Sequence, residues 1–171
     1  MKSEFFKFLT SKEEKEIQKE GNSEEISEKE EYIDSGFTKE ELAGYDENAR
    51  FFYINLINSL ILYTYDIEKL DKMAPVLFDP LAELYEELDY AFLPVLFETV
   101  FRNKLIDENF KEDLLIFRKK VEDIPAELWD WDVLDSSDIW QHIRIDAEDL
   151  LNKLKIETRT YNTDYTTIIS K

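Results

Sequence analysis

Residues 51–65 read FFYINLINSLILYTY, fifteen positions without a charge. Apolar side chains run nearly all the way round a helical wheel: Phe51, Phe52, Ile54, Leu56, Ile57, Leu60 and Ile61. A surface helix carries one apolar stripe, so a helix apolar on nearly every side belongs at the centre of a bundle. Asn55, Asn58 and Ser59 form its one polar stripe. A membrane span needs about 20 apolar residues. This run is shorter and carries amides, so the pattern predicts a buried helix over roughly 47–65.

Toward the N-terminus, Asp46 is placed to cap that helix. Thr38 with Glu41 has the spacing of a capping box, opening a short helix that Gly44 is expected to end. Residues 11–34, SKEEKEIQKEGNSEEISEKEEYID, are charged, with only Ile17, Ile26, Tyr32 and Ile33 apolar. Residues 1–35 therefore read as a charged N-terminal arm of weakly docked helices.

Toward the C-terminus, a short helix at about 67–74 should stop at Pro75. Asp79 caps the next helix, with Pro80 at its first position, where a missing N–H costs nothing. Leu77, Leu81, Leu84, Leu88, Phe92 and Val95 step by fours and threes through Pro94. That predicts one kinked helix or two with a break, and Phe97, Phe101 and Leu105 carry the pattern onward. Asp107 opens a further helix with Phe110, Leu114, Phe117 and Val121 on one face. In the last helix, about 138–155, Asp138 and Gln141 read as a capping pair. Trp140, Ile143, Ala147, Leu150, Leu151 and Leu154 share its apolar face. The ending ETRTYNTDYTTIISK, rich in Thr and Tyr, suits a strand or a loose tail. The expected architecture is all-α. It is a single-domain irregular bundle of five or six helices over 36–156, with a strand-like or flexible Thr-rich tail over 157–171.

Composition narrows the function. With 40 acids against 21 bases the net charge is −19. Such a chain repels nucleic acid and anionic membrane surfaces, and its natural complements are a basic protein or metal ions. The 12 Phe and 9 Tyr argue against an acidic disordered chain. There is no cysteine, which fits a cytoplasmic protein. The opening MKSEFFKFLTSKEEKE is too soon charged for a signal peptide.

Most chemistry is missing. The one histidine, His142, lies at the edge of an apolar face with no Cys nucleophile in the chain, so a catalytic triad has no parts. Glu83, Glu86 and Glu87 lie opposite the leucines and lack the following histidine of a di-iron motif, so they read as a solvated face. The acids at 130, 132, 135 and 138 miss the calcium-loop pattern, with Leu134 at its fifth position, Asp135 at its sixth and Gln141 at its twelfth. No phosphate-binding or dinucleotide fingerprint occurs. No cofactor is expected, and an enzyme would have to use carboxylates with a divalent metal.

The remaining signal is ELWDWDVLDSSDIW (127–140), which holds all three tryptophans among four aspartates. Trp129 and Trp140 read as core. Trp131, flanked by Asp130 and Asp132 and followed by Asp135, reads either as core packing too or as the centre of an aromatic–acidic interface for Lys and Arg side chains. An extended WDWD segment would turn Trp129 and Trp131 to one side. Tyr85-Glu86-Glu87-Leu88-Asp89-Tyr90 is a second patch of the same mixture, with Tyr85, Glu86 and Tyr90 as its contacts.

A small, acidic, cysteine-free helical chain with these patches resembles the immunity proteins of bacterial toxin systems. The resemblance is in type across the whole chain. Helical members that neutralise nuclease colicins carry Asp-Ser followed closely by paired tyrosines. Here Asp135-Ser136 is followed by Ser137-Asp138-Ile139-Trp140, so no residue is carried over from that motif. The resemblance implies a non-enzymatic protein that occludes a basic partner, such as a toxin nuclease. A nucleic-acid mimic and a metal-dependent carboxylate enzyme are the alternatives.

Overall fold

The computed structural model describes residues 36–73 and 79–165. These lie in the second of two units into which the chain divides, Met1–Glu31 and Tyr32–Lys171. The arm expected over 1–35, the stop at Pro75, Leu77 and the last six residues fall outside the described residues.

The described residues form seven α-helices: α1 (Lys39–Glu47), α2 (Ala49–Leu62), α3 (Ile67–Asp71), α4 (Pro80–Ala91), α5 (Pro94–Arg102), α6 (Lys111–Glu122) and α7 (Asp138–Lys153). Three 3-10 turns, Glu108–Phe110, Ala126–Leu128 and Trp131–Val133, join them. The class is all-α, and no described residue is in a strand. The helix count exceeds the expected five or six, and at Pro94 the second of the two expected outcomes holds, a break between two helices. Leu93 takes the extended conformation forced on a residue before proline (φ −55°, ψ 128°), and Pro94 starts α5.

The uncharged run is the central helix. α2 packs against α4, α5 and α7, while α6 packs on α7 and α1 on α5. Leu56, Leu60, Ile61 and Leu62 are at most 1% exposed. The face predicted for α7 is likewise buried at Trp140, Ile143, Ala147, Leu150 and Leu151, with Leu154 half-buried. No described helix is long and apolar enough to cross a membrane.

Local signals fared unevenly. The Thr38–Glu41 capping box forms, Asp79 accepts from the Ala82 amide at 3.3 Å, and Asp107 caps the 3-10 turn ahead of α6. Gly44 does not end α1, which continues to Glu47 with open space around the glycine. Asp46 does not cap α2. It accepts instead from Arg102 Nε at 2.8 Å and Asn103 Nδ2 at 2.7 Å, tying α1 to the end of α5. The Arg102 bond holds the Asp46 carboxyl below the usual range, against the opposing effect of burial. Asp138 is the first residue of α7, and its side chain makes no cap. Leu105 leaves the core line because Lys104, at φ 56°, turns left-handed after α5 and throws it outward to 40% exposure.

The tail forms no strand over its described part. Residues 157–165 are irregular but bonded at several points to α2, α4 and α7.

Candidate functional site

The acidic loop is more structural than its sequence suggests. Trp140 is buried, and its indole N–H donates to the Leu128 carbonyl at 2.8 Å, closing the 3-10 turn that follows Pro125. Trp131 is half-buried against the core at the start of its own turn, so the WDWD segment is not one extended stretch. Asp130 is the one extended residue there, and its carboxylate caps the Asp132 amide at 2.8 Å. Asp132 is exposed. Asp135 accepts from the Ile67 amide at 3.3 Å and pairs with Arg144. Arg144 also donates to the carbonyls of Tyr65 (3.0 Å) and Leu134 (3.1 Å). Asp135 therefore helps knot the loop to the ends of α2 and α3. Its side chain stays exposed within that ion pair.

The two patches seen in the sequence meet through Tyr85. This residue is half-exposed, and its ring stands edge-on to Trp129 at 5.7 Å. Trp129 is edge-on to Trp140 at 4.9 Å, Trp140 stacks on Tyr63 at 6.2 Å, and Tyr63 meets Phe117 at 5.6 Å. The Tyr63 hydroxyl donates to the Leu84 carbonyl at 3.0 Å, and burial pushes its acidity far below that of an ordinary phenol. Tyr85 is thus the outer end of an aromatic column running into the core. Such a column holds an exposed ring in place at little entropic cost.

The other edge of α4 lines an open cleft of about 330 Å³. α2 contributes Phe51, Ile54, Asn55 and Asn58, and α4 contributes Glu83, Glu86, Glu87 and Tyr90. The C-terminal segment contributes Tyr161, Asn162 and Tyr165. The volume is within the range of ligand sites. The walls are carboxylate, carboxamide and aromatic, with no Lys, Arg or His among the described lining residues. Tyr161 Oη donates to Glu87 Oε1 at 3.3 Å, and Tyr165 meets Phe51 edge-on at 5.4 Å. Burial, then the charge of Glu83, raises the Glu87 carboxyl above its usual range; the Tyr161 bond opposes this and Glu86 adds to it. Burial and the charge of Glu87 also raise Tyr90.

These three glutamates are not the simple solvated face that their position opposite the leucines suggested. Glu86 is exposed, but Glu83 and Glu87 are half-buried because the C-terminal segment folds back beside them. Of the predicted contacts, Glu86 and Tyr90 come together in the cleft, Tyr85 joins the Trp129 side, and Trp131, Asp130, Asp132 and Asp135 stay in the loop. Glu83, Glu87, Tyr161 and Asn162 are the residues that sequence reasoning missed. The available signal was the carboxamide stripe of α2, which has no purpose on a core helix unless something polar covers it. His142 is exposed, with Nδ1 2.6 Å from the Asp138 carbonyl oxygen. Among the described residues no group of three acids or histidines is gathered closely enough to hold a metal ion.

No family model, no curated protein and no solved structure matches this chain.

Proposed function

We propose that the chain is a non-enzymatic acidic binding protein that neutralises a basic protein partner by occlusion, in the manner of a toxin-system immunity protein. One observation carries the reading: the cleft beside α4 sets three glutamates among tyrosines, with no basic residue among its described lining. A lysine or arginine from a partner pairs with the carboxylates of Glu86 and Glu87, and the ring faces of the tyrosines favour the same cation. Tyr85, held rigid at the outer end of the aromatic column, supplies flanking area of the kind that anchors an interface. The contacts are then Glu86, Glu87 and Tyr90 in the cleft and Tyr85 beside it. Trp131 and Asp132 rank lower, and Asp130 and Asp135 act on the loop. The net charge of −19 speeds encounter with a basic protein. The cysteine-free composition suits the cytoplasm.

The test is capture from a lysate of the source organism on two columns, wild type and Glu86→Gln/Glu87→Gln, each eluted with a salt gradient. The reading expects one dominant basic protein, released at high salt from the wild type and early or absent on the variant. Many basic proteins held weakly and equally by both columns would defeat it and favour nucleic-acid mimicry or charge alone.

A further inference from the structure

We infer that residues 157–165 are a strap whose docking builds the second wall of the cleft, and that Asn58 and Tyr65 are the residues that position it. The binding part of this inference rests on the function proposed above. The structural part stands alone.

α7 ends at Lys153, and Lys155, two residues on, has a left-handed backbone (φ 59°) that turns the chain back. From there no helix or strand organises the segment, so its backbone groups need other partners. α2 provides them. The Tyr65 hydroxyl donates to the Arg159 carbonyl at 2.8 Å and accepts from the Tyr161 amide at 3.1 Å. The Asn58 carboxamide donates to the Asn162 carbonyl and accepts from the Asn162 amide, both at 2.8 Å, much as a neighbouring strand would. Asn58 is 2% exposed and Tyr65 7% exposed. Burying an amide on an apolar helix is unfavourable unless it is bonded. The partners shown for the Asn58 carboxamide lie 104 residues away, on the strap. The polar stripe of α2 is therefore a receptor for the C-terminal segment. Arg159 fastens the near end to α7 through Glu148 and Asn152, both at 2.6 Å.

Docking sets Tyr161, Asn162 and Tyr165 opposite the glutamates of α4, and Tyr161 touches Glu87 directly. A cation held between the two walls stabilises the docked strap, and by reciprocity a docked strap strengthens the hold on the cation.

The experiment uses the full chain, with a tetra-arginine peptide as probe. Amide hydrogen exchange is followed residue by residue in the wild type and in Asn58→Leu/Tyr65→Phe, which removes all four bonds and keeps the bulk. Exchange at Tyr161 and Asn162 should quicken at least about tenfold, while the amides of Leu60 and Leu151 keep their protection. Affinity for the probe should fall by about tenfold or more, and probe added to the wild type should slow exchange at Tyr161 and Asn162. Where the double variant loosens the whole fold, Tyr65→Phe alone, which leaves the ring in place, supplies the same comparison. A strap that opens without loss of affinity would overturn its role and leave the functional reading intact. Unchanged exchange in the variants would overturn the positioning role of Asn58 and Tyr65. A wild type that does not bind the probe would overturn the functional reading and the strap's part in it, while the exchange data still report docking.

Discussion

Replacing Glu87 by Gln separates stability from binding at one position. The carboxamide is nearly isosteric, and its oxygen still accepts the Tyr161 hydroxyl bond. What disappears is a charge, half-buried and one turn from Glu83. Relief of one like-charge pair returns about 0.2–0.5 kcal/mol, and no longer burying a carboxylate adds a similar amount. A net gain of about 0.5–1 kcal/mol raises the melting temperature by roughly 1–4 °C in a chain of this size. The sign of the pH dependence follows from the raised carboxyl. The folded wild type holds its proton more tightly than the unfolded chain, whose reference value is 4.5. Wild-type stability therefore rises, through this group, as pH falls from above the folded value toward 4.5, and the gap to Glu87→Gln closes across that window. Binding goes the other way. Loss of one charge-assisted bond weakens a tetra-arginine probe by about tenfold to a hundredfold. Thermal melts at neutral and acid pH, beside calorimetric titration of the probe, check both halves. A variant less stable than wild type at neutral pH would refute the reasoning, because Glu87 would then already have a cation within the chain.

Three further outcomes follow from the fold. Gly44→Ala should raise stability by about 0.5–1 kcal/mol, measured from the denaturant midpoint, because the added methyl meets nothing within 4 Å and the site lies inside α1. Asp135→Ala should lower stability by about 0.5–1 kcal/mol, since it takes an exposed ion-pair partner from Arg144, whose side chain is 18% exposed and keeps its two carbonyl bonds; an unchanged denaturant midpoint would show that Asp135 does not hold the loop. Asp46 has a lowered carboxyl, so its contribution is present above its reference value of 3.8 and is lost as pH falls through the lower folded value; in Asp46→Asn the acid limb of the stability curve should be shallower.

How much of this was legible in the sequence depends on the range of the interaction. The central helix was legible because an apolar surface on all sides has only one place in a bundle, and α7 because its leucines and Trp140 keep helical spacing. Short-range caps were legible where a competing partner was absent, as at Thr38 and Asp79. Asp46 failed because Arg102, 56 residues away, offered its carboxylate a stronger bond than a helix end. The surroundings of the candidate residues were hidden for the same reason. Trp131 and its aspartates form a conspicuous local pattern, but Asp130 and Asp135 are engaged by backbone amides and by Arg144. The cleft, in contrast, assembles from residues near positions 55, 85 and 162, and its second wall is a segment whose composition gives no helix signal. Asn58 was the one clue, an amide on an apolar helix with no partner close in sequence.

The most direct measurement is a titration of the isotope-labelled full chain with tetra-arginine, read from amide chemical shifts. The account predicts saturable shifts confined to Glu83, Glu86, Glu87 and Tyr90 on α4, the side-chain amides of Asn55 and Asn58, and the strap at Tyr161 and Asn162. It also predicts affinity that falls with added salt and is weakened by Glu87→Gln. Small, non-saturating shifts spread over the whole acidic surface would contradict it, and would leave the chain with charge but no site.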